Sequence, residues 1–253
     1  MNILVHGFCG FMGKEVVKCA NENYENAVLL GGIDPFASED TADVCVKTFE
    51  EAEEKFNLNE VDCVIDFSNH TLTENLLEFC KKHSLAVVVA TTGHTPEEIE
   101  LIKEASKETA VFFAANMSLG VALLINLAKQ AAKTMKDADI EIIEKHHNRK
   151  LDAPSGTAMA IYRELKEVRE NANAVMGRSG MQKREANDIG IHAVRMGNIV
   201  GEHEVILCTP TQSITLKHEA FDRSLFAQGA VVAGAFIKDK KCGLFDMNDI
   251  VNR

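Results

Sequence analysis

Two imidazoles, an ammonium and a cluster of small hydroxyl-bearing residues share one stretch: Glu141-Ile-Ile-Glu-Lys-His146-His147-Asn-Arg-Lys150-Leu-Asp152-Ala-Pro154-Ser155-Gly156-Thr157-Ala. The stretch opens as a strand, because Ile140, Ile142 and Ile143 are β-branched and apolar. It closes on Pro-Ser-Gly-Thr running into Ala158-Met-Ala-Ile-Tyr-Arg-Glu-Leu, a helix start. Histidine and lysine transfer protons near neutral pH when their surroundings tune them. The free N–H groups of a first helical turn hold a carboxylate, and Lys150 adds a point positive charge. The pattern therefore predicts an anion site furnished with proton donors. Neighbours in a strand point to opposite faces, so His146 and His147 have different roles. A histidine pair alone is more often surface decoration, and a lone lysine is more often a solvated charge. Their concentration next to a helix start favours the site. No Cys or carboxylate stands nearby at a ligand spacing, so no metal is expected.

The elements that come before this stretch alternate. Asn2-Ile-Leu-Val-His6 is a short apolar strand, followed by Gly7-Phe8-Cys9-Gly10-Phe11-Met12-Gly13 and a helical run from Lys14. Glycines between a first strand and a helix let the backbone approach a pyrophosphate, whose charge faces the helix N-terminus. The spacing here is Gly-x-x-Gly-x-x-Gly, and these seven residues are expected to bind a dinucleotide. Ala27 to Ile33 is a second strand ending in Asp34. An acid at that place can hydrogen-bond the adenosine ribose, which favours NADH over NADPH. Pro35, Phe36 and Phe11 occupy the places where a guanidinium for a 2′-phosphate is otherwise found. Strands over 61–68, 86–93 and 110–116 alternate with helices over 49–55, 72–83 and 96–108. Their nearly unbroken apolar runs suit strands covered on both faces. The whole predicts a doubly wound parallel sheet with its ligand at the strand C-termini.

The pattern changes after a long apolar helix over 120–135 and the helix from Thr157. Residues 169–186 are polar and read as a long loop. Strands over 188–195, 200–209 and 212–219 then follow at short spacing, with Met196-Gly-Asn and Pro210-Thr as turns, which predicts antiparallel pairing. Residues from about 117 to 223 are thus expected to form a second, α+β domain. Its open mixed sheet is expected to have a mostly apolar face that no helix of its own covers. Leu225 to Ile237 is a further apolar helix.

Composition excludes several classes. With 253 residues, 46% hydrophobic and 26% charged, the chain can bury a sizeable core. The formal net charge of −11 argues against nucleic-acid binding and leaves an anionic substrate to a local cluster. No apolar run is long enough for a membrane span. The seven cysteines are scattered and odd in number, which suits reduced thiols in a cytosol. The chain opens directly on a strand, with no basic or cleavable apolar leader, so a cytoplasmic protein is expected.

The segment from Glu141 to Ala158 resembles the signature of the dihydrodipicolinate reductase family of bacterial and plant lysine biosynthesis. Further matches extend the resemblance from Gly7 to Ala235: the glycine spacing, Asp66-Phe-Ser, Ala90-Thr91-Thr92-Gly, Ala114-Ala115-Asn116-Met117-Ser-Leu-Gly, and Ile-Gly-Ile-His-x-Val-Arg-x-Gly-x-Ile-Val-Gly-Glu-His-x-Val. Ala90 replaces a glycine of the family pattern. The resemblance implies a discontinuous dinucleotide-binding domain, 1–116 with 224–253, and a substrate-binding and tetramerisation domain, 117–223. It implies that Ala90 to Thr92 and Ala114 to Met117 line the nicotinamide end of the cofactor, and that Arg223 lies near the substrate. The activity implied is NADH- or NADPH-dependent reduction of a cyclic imine dicarboxylate, with water lost, in a homotetramer. His146 and Lys150 are the expected proton-transfer residues. His147, Gly156, Thr157 and Arg223 are the expected holders of the substrate carboxylates. Two alternatives stand beside this: another dehydrogenase of amino-acid metabolism, and a non-catalytic NAD(P)H-binding redox sensor using Cys9.

Overall fold

Ile3, Leu4 and Val5, like Val87, Val88 and Val89, are fully buried, with no alternation. Such strands are covered on both faces, and the computed structural model, which describes residues 1–253, shows how. In the unit formed by Met1–Ser118 and Ser224–Arg253, strands β1 (Asn2–His6), β2 (Val28–Ile33), β3 (Cys45–Val46), β4 (Cys63–Asp66), β5 (Ala86–Val89) and β6 (Ala110–Phe113) form one sheet. A last strand, designated β12 (Gly243–Phe245), extends its edge. The order is β12-β6-β5-β4-β1-β2-β3, and every pairing is parallel. Read from β3 to β6, this is the doubly wound Rossmann order, whose direction reverses between β1 and β4.

Helices α2 (Phe49–Lys55), α3 (Thr73–His83) and α4 (Pro96–Ala105) cover one face. Their Ala52, Leu76, Leu77, Phe79, Ile102 and Ala105 pack on Leu4, Val64, Val87 and Val111. α4 starts where its sequence says: Pro96 sits in the first turn, and Thr95 and Glu98 form a capping box. Helices α1 (Phe11–Asn21) and, late in the chain, α7 (Ser224–Ile237) lie on the other face and against each other. α7 is apolar almost all round, and Ala227, Ala230, Val231, Ala233 and Ile237 are fully buried, the usual fate of such a helix. α8 (Met247–Val251) ends the chain.

The unit Leu119–Arg223 holds α5 (Leu119–Thr134), β7 (Asp139–His146), α6 (Gly156–Lys166), β8 (Asn173–Met176), β9 (Asp188–Arg195), β10 (Gly201–Thr209) and β11 (Gln212–Ala220). Its sheet runs β11-β10-β7-β9-β8. Three expectations need correcting. The polar stretch 169–186 contains β8 and is not a single loop. β8 and β9 pair in parallel and β9 runs parallel to β7, so only β10 and β11 give the antiparallel part. The helical crossover α6 carries the chain from the end of β7 to β8, which therefore runs the same way, and residues 177–187 return the chain so that β9 enters between β8 and β7, parallel to both.

The third correction concerns the faces. The apolar face is covered, because Leu124, Ala128, Ile161 and Leu165 of α5 and α6 pack on Ile140, Ile142, Ile191, Val205 and Leu207. The open face alternates charges with a few aliphatic side chains. Lys145 reaches Glu202 at 2.9 Å and Glu204 at 3.3 Å, and Lys217 reaches Glu202 at 3.1 Å. His192 and Arg184 both meet Glu141, at 2.7 and 3.0 Å. Ile143 and Ile206 lie half-buried among them. No helix in either unit is long and apolar enough to cross a membrane.

Candidate active site

The first unit builds its site from strand ends. Gly7 has φ +83°, a left-handed value that suits glycine. A Cβ on Gly13 would stand 2.1 Å from the Gly7 carbonyl oxygen, so α1 can sit this close to the loop only without a side chain there. Phe8 turns inward against Gly32 and is buried, so its side chain does not cover the loop. Cys9 N–H donates to Asp34 Oδ2 and Phe36 N–H to Asp34 Oδ1, both at 2.8 Å. Asp34 is buried and therefore fixes the loop as well as offering its remaining lone pairs. Burial pushes the Cys9 thiol up, and the neighbouring Asp34 charge pushes it the same way. The thiolate that a redox sensor needs is disfavoured.

At the switch point, Asp66 closes β4. Thr91 Oγ1 donates to its Oδ2 at 2.7 Å and Ser68 Oγ to its Oδ1 at 2.6 Å. His6 Nδ1 lies 2.9 Å from the same Oδ1. This buried carboxylate pins the ends of β1, β4 and β5. Beside it opens a cavity of about 390 Å³ lined by Met12 of the glycine loop and by Ala90, Thr91, Thr92, Ala115, Asn116 and Met117, together with Phe67, Ser68, Asn69, His70 and Phe226. Ala114 does not line it, nor do the other loop residues. His70 Nδ1 bonds both carboxylate oxygens of Glu98 at 2.9 Å. The turn glycine, the close helix approach and a polar cavity at the switch point fit a dinucleotide.

The second unit builds its site on the end of β7. Glu144 and His146 share the strand face of Ile140 and Ile142, and both are buried. Glu144 Oε2 accepts from His146 Nδ1 at 2.6 Å and from Arg195 Nη1 at 2.8 Å. Its Oε1 accepts from Ser155 N–H at 2.9 Å and from Arg195 Nη2 at 2.7 Å. Burial pushes the Glu144 carboxyl up, but the bonds from His146, Arg195 and Ser155 outweigh it and hold it down at about 2. Ser155 caps α6 by accepting from Ala158 N–H, and its hydroxyl lies 3.1 Å from His203 Nε2. Burial pushes His203 down to about 4, and the neighbouring His146 acts in the same direction.

His147 points the other way, half-buried, with its Nδ1 buried and unpartnered. Desolvation lowers its pKa first, and the charges of Arg149, Arg223 and Lys150 lower it further. A local cationic cluster therefore exists in a chain of net charge −11. Lys150 Nζ bonds Asp152 Oδ1 at 2.8 Å. Nothing lies within 4 Å of the place a Cβ would take on Gly156, so the α6 N-terminus is open. Thr157 follows in its first turn. His146, His147, Lys150, Gly156 and Thr157 thus all lie in this one segment, and Arg223, between β11 and α7, is near enough for its charge to act on His147. Glu144, Arg195 and His203 were not anticipated. Their signal was phase: alternation places Glu144 with Ile142, and His203 with Val205, on a face that is otherwise apolar.

Comparison with known proteins agrees with this geometry. The family model for the N-terminus of dihydrodipicolinate reductase matches residues 1–117, and that for its C-terminus matches residues 120–251. The 4-hydroxy-tetrahydrodipicolinate reductase of Caldanaerobacter subterraneus is 44% identical, over 100% of this chain and 99% of its own. That of Clostridium novyi is 41% identical, over 98% and 97%. Among solved structures, the dipicolinate-bound dihydrodipicolinate reductase from a Paenisporosarcina species superposes with a TM-score of 0.80 at 24% identity, covering 99% of both chains. A probable dehydrogenase from Thermotoga maritima shares the fold at a TM-score of 0.63 and 13% identity, over 98% and 92% of the two chains. With both domain models and full-length relatives matched, the chain belongs to the dihydrodipicolinate reductase family.

Proposed function

We infer that this chain is a 4-hydroxy-tetrahydrodipicolinate reductase. It converts (2S,4S)-4-hydroxy-2,3,4,5-tetrahydrodipicolinate to tetrahydrodipicolinate and water with a reduced nicotinamide cofactor. The observation that carries this reading is the β7–α6 segment, where a buried histidine, a cationic cluster and an open helix N-terminus stand together. When bound, the cofactor supplies a hydride from C4 of its nicotinamide. The chain must then hold a dicarboxylate and move a proton. Gly156 and Thr157 offer the N–H groups of a helix start to one carboxylate. His147 and Arg223 offer donors and charge to the other. His146 and Lys150 transfer the proton that accompanies reduction and departure of the 4-hydroxyl as water.

In the first unit, the glycine loop from Gly7 to Gly13 holds the pyrophosphate. Ala90–Thr92 and Ala115–Met117, with Ala114 as backbone support, hold the nicotinamide end. Asp34 takes the adenosine ribose with the lone pairs that Cys9 and Phe36 leave free. A 2′-phosphate at that position would face a buried carboxylate, and no cation follows in Pro35-Phe36, so NADH is the preferred cofactor. The protein works in the cytoplasm as a homotetramer, for which the open, ion-paired sheet face offers a self-complementary surface.

The test is oxidation of NADH and NADPH, followed by loss of nicotinamide absorbance. The preceding synthase supplies the substrate from pyruvate and aspartate semialdehyde. Saturable oxidation with a higher kcat/KM for NADH is expected. No oxidation by protein that binds NADH would overturn the activity, and a higher kcat/KM for NADPH would overturn the Asp34 argument. Light scattering should give four chains per particle.

A further inference from the structure

We propose that Glu144 is the positioning residue of this site: one carboxylate selects the proton-bearing nitrogen of His146 and fixes the N-terminus of α6. The proposal rests on the reading of His146 as a proton-transfer residue. Its basis is the identity of the four groups around Glu144. His146 Nδ1 and Arg195 Nη1 meet Oε2, while Ser155 N and Arg195 Nη2 meet Oε1. An ionised carboxylate only accepts, so a contact of 2.6 Å to His146 Nδ1 requires the proton to lie on that nitrogen. Neutral His146 then carries its lone pair on Nε2. That nitrogen lies over Gly201, where a Cβ would come within 3.2 Å. The other oxygen sets the backbone of Ser155, whose next two residues are the proposed carboxylate holders. Proton transfer and substrate anchoring are therefore tied to one group. Arg195 grips that group with both arms and also donates to the Asp152 carbonyl at 2.6 Å, inside the loop that carries Lys150.

Glutamine cannot take this place. Whichever way its amide turns, the NH2 faces two donors: His146 with Arg195, or Ser155 with Arg195. In the first orientation His146 must shift its proton to Nε2, and in the second the α6 start loses its anchor.

The test uses protein with ¹⁵N-labelled histidine, the His146 signals being assigned by their loss in His146→Asn. In the wild type at a pH where His146 is neutral, Nδ1 should carry the proton and Nε2 should not. The reverse pattern overturns the proposal and needs no variant to fold. For folded Glu144→Gln, kcat should fall about 100-fold, at the upper end of losses for removed supporting partners. NADH affinity should stay within about twofold, because the groups that Glu144 holds all belong to the second unit. A kcat within about threefold of wild type, with the His146 pattern unchanged, overturns the proposal. Full activity in His146→Ala would instead remove the reading on which it rests, an outcome separate from either of these.

Discussion

The two units solve their binding problems with different materials. The nucleotide unit presents backbone and largely uncharged side chains gathered mostly from strand ends, with the two carboxylates Asp34 and Asp66 buried as braces. The second unit concentrates ionisable side chains in one strand-to-helix connection and braces them from β9 and β10. Backbone N–H groups suit a ligand that is held unchanged in its phosphates and riboses. Titratable groups suit one that gains a proton. The difference predicts that damage in one unit appears as lost cofactor affinity and damage in the other as lost turnover.

The largest effect expected is on turnover. His146→Ala and Lys150→Ala should each lower kcat by about 10²- to 10⁴-fold, the usual contribution of a positioned acid or base. The dissociation constant for NADH, read from its fluorescence, should barely change. A parallel loss of NADH affinity would show that the comparison is drawn in the wrong place. Gly13→Ala should do the opposite. Its Cβ would overlap the Gly7 carbonyl, so α1 must move off the loop at a cost of about 1–3 kcal/mol. If that cost falls on the bound state, NADH affinity drops about tenfold or more, and kcat at saturating cofactor is largely kept.

A third effect separates the braces from the chemistry. His203 is buried and held at about 4 against an ordinary 6.5. Between those pH values the unfolded chain binds a proton that the folded chain refuses, so stability falls on acidification through that window. The size is about 3 kcal/mol, since each tenfold difference in proton affinity between the two states is worth about 1.4 kcal/mol. His203→Gln should flatten the loss measured by denaturant unfolding between pH 6.5 and 4. Glu144 works in a lower window: its depressed value stabilises the fold above the ordinary carboxylate range, and that contribution disappears as pH falls toward 2. An unchanged slope in His203→Gln would mean that His203 is charged in the folded protein.

The sequence carried the sheet of the first unit well, because its strands are apolar throughout and its helices begin at readable caps. β3 and β12 have two and three residues, too few to show a period, and β8 is no longer than β4 to β6 but lacks their buried apolar run, its two ends being exposed. The pairing of β9 was misjudged because its short spacing from β10 looks like a hairpin, whereas β9 enters between β8 and β7 and runs parallel to both. His146, His147 and Lys150 were visible because their types are unusual together. Glu144, Arg195 and His203 were not, since each is an ordinary strand residue until its partner from a distant strand arrives. The reading of the sheet faces failed similarly. An apolar face was expected, but that α5 and α6 cover it is a tertiary fact.

The smallest effect tests that open face. Glu202 is 12% exposed and lies between Lys145 and Lys217, whose side chains are 29% and 41% exposed. Pairs with partners this accessible are screened by water and salt, and each contributes about 1 kcal/mol or less. Glu202→Gln in a chain whose face meets water should therefore cost about that amount, and less again in high salt. Removing one partner of a buried pair costs about 3–5 kcal/mol, because the remaining charges stay desolvated. The proposed homotetramer predicts a value nearer this second figure at protein concentrations where light scattering finds four chains, falling to the first on dilution into single chains. A small, salt-sensitive cost at every concentration would leave the face in water and require the chains to assemble through another surface.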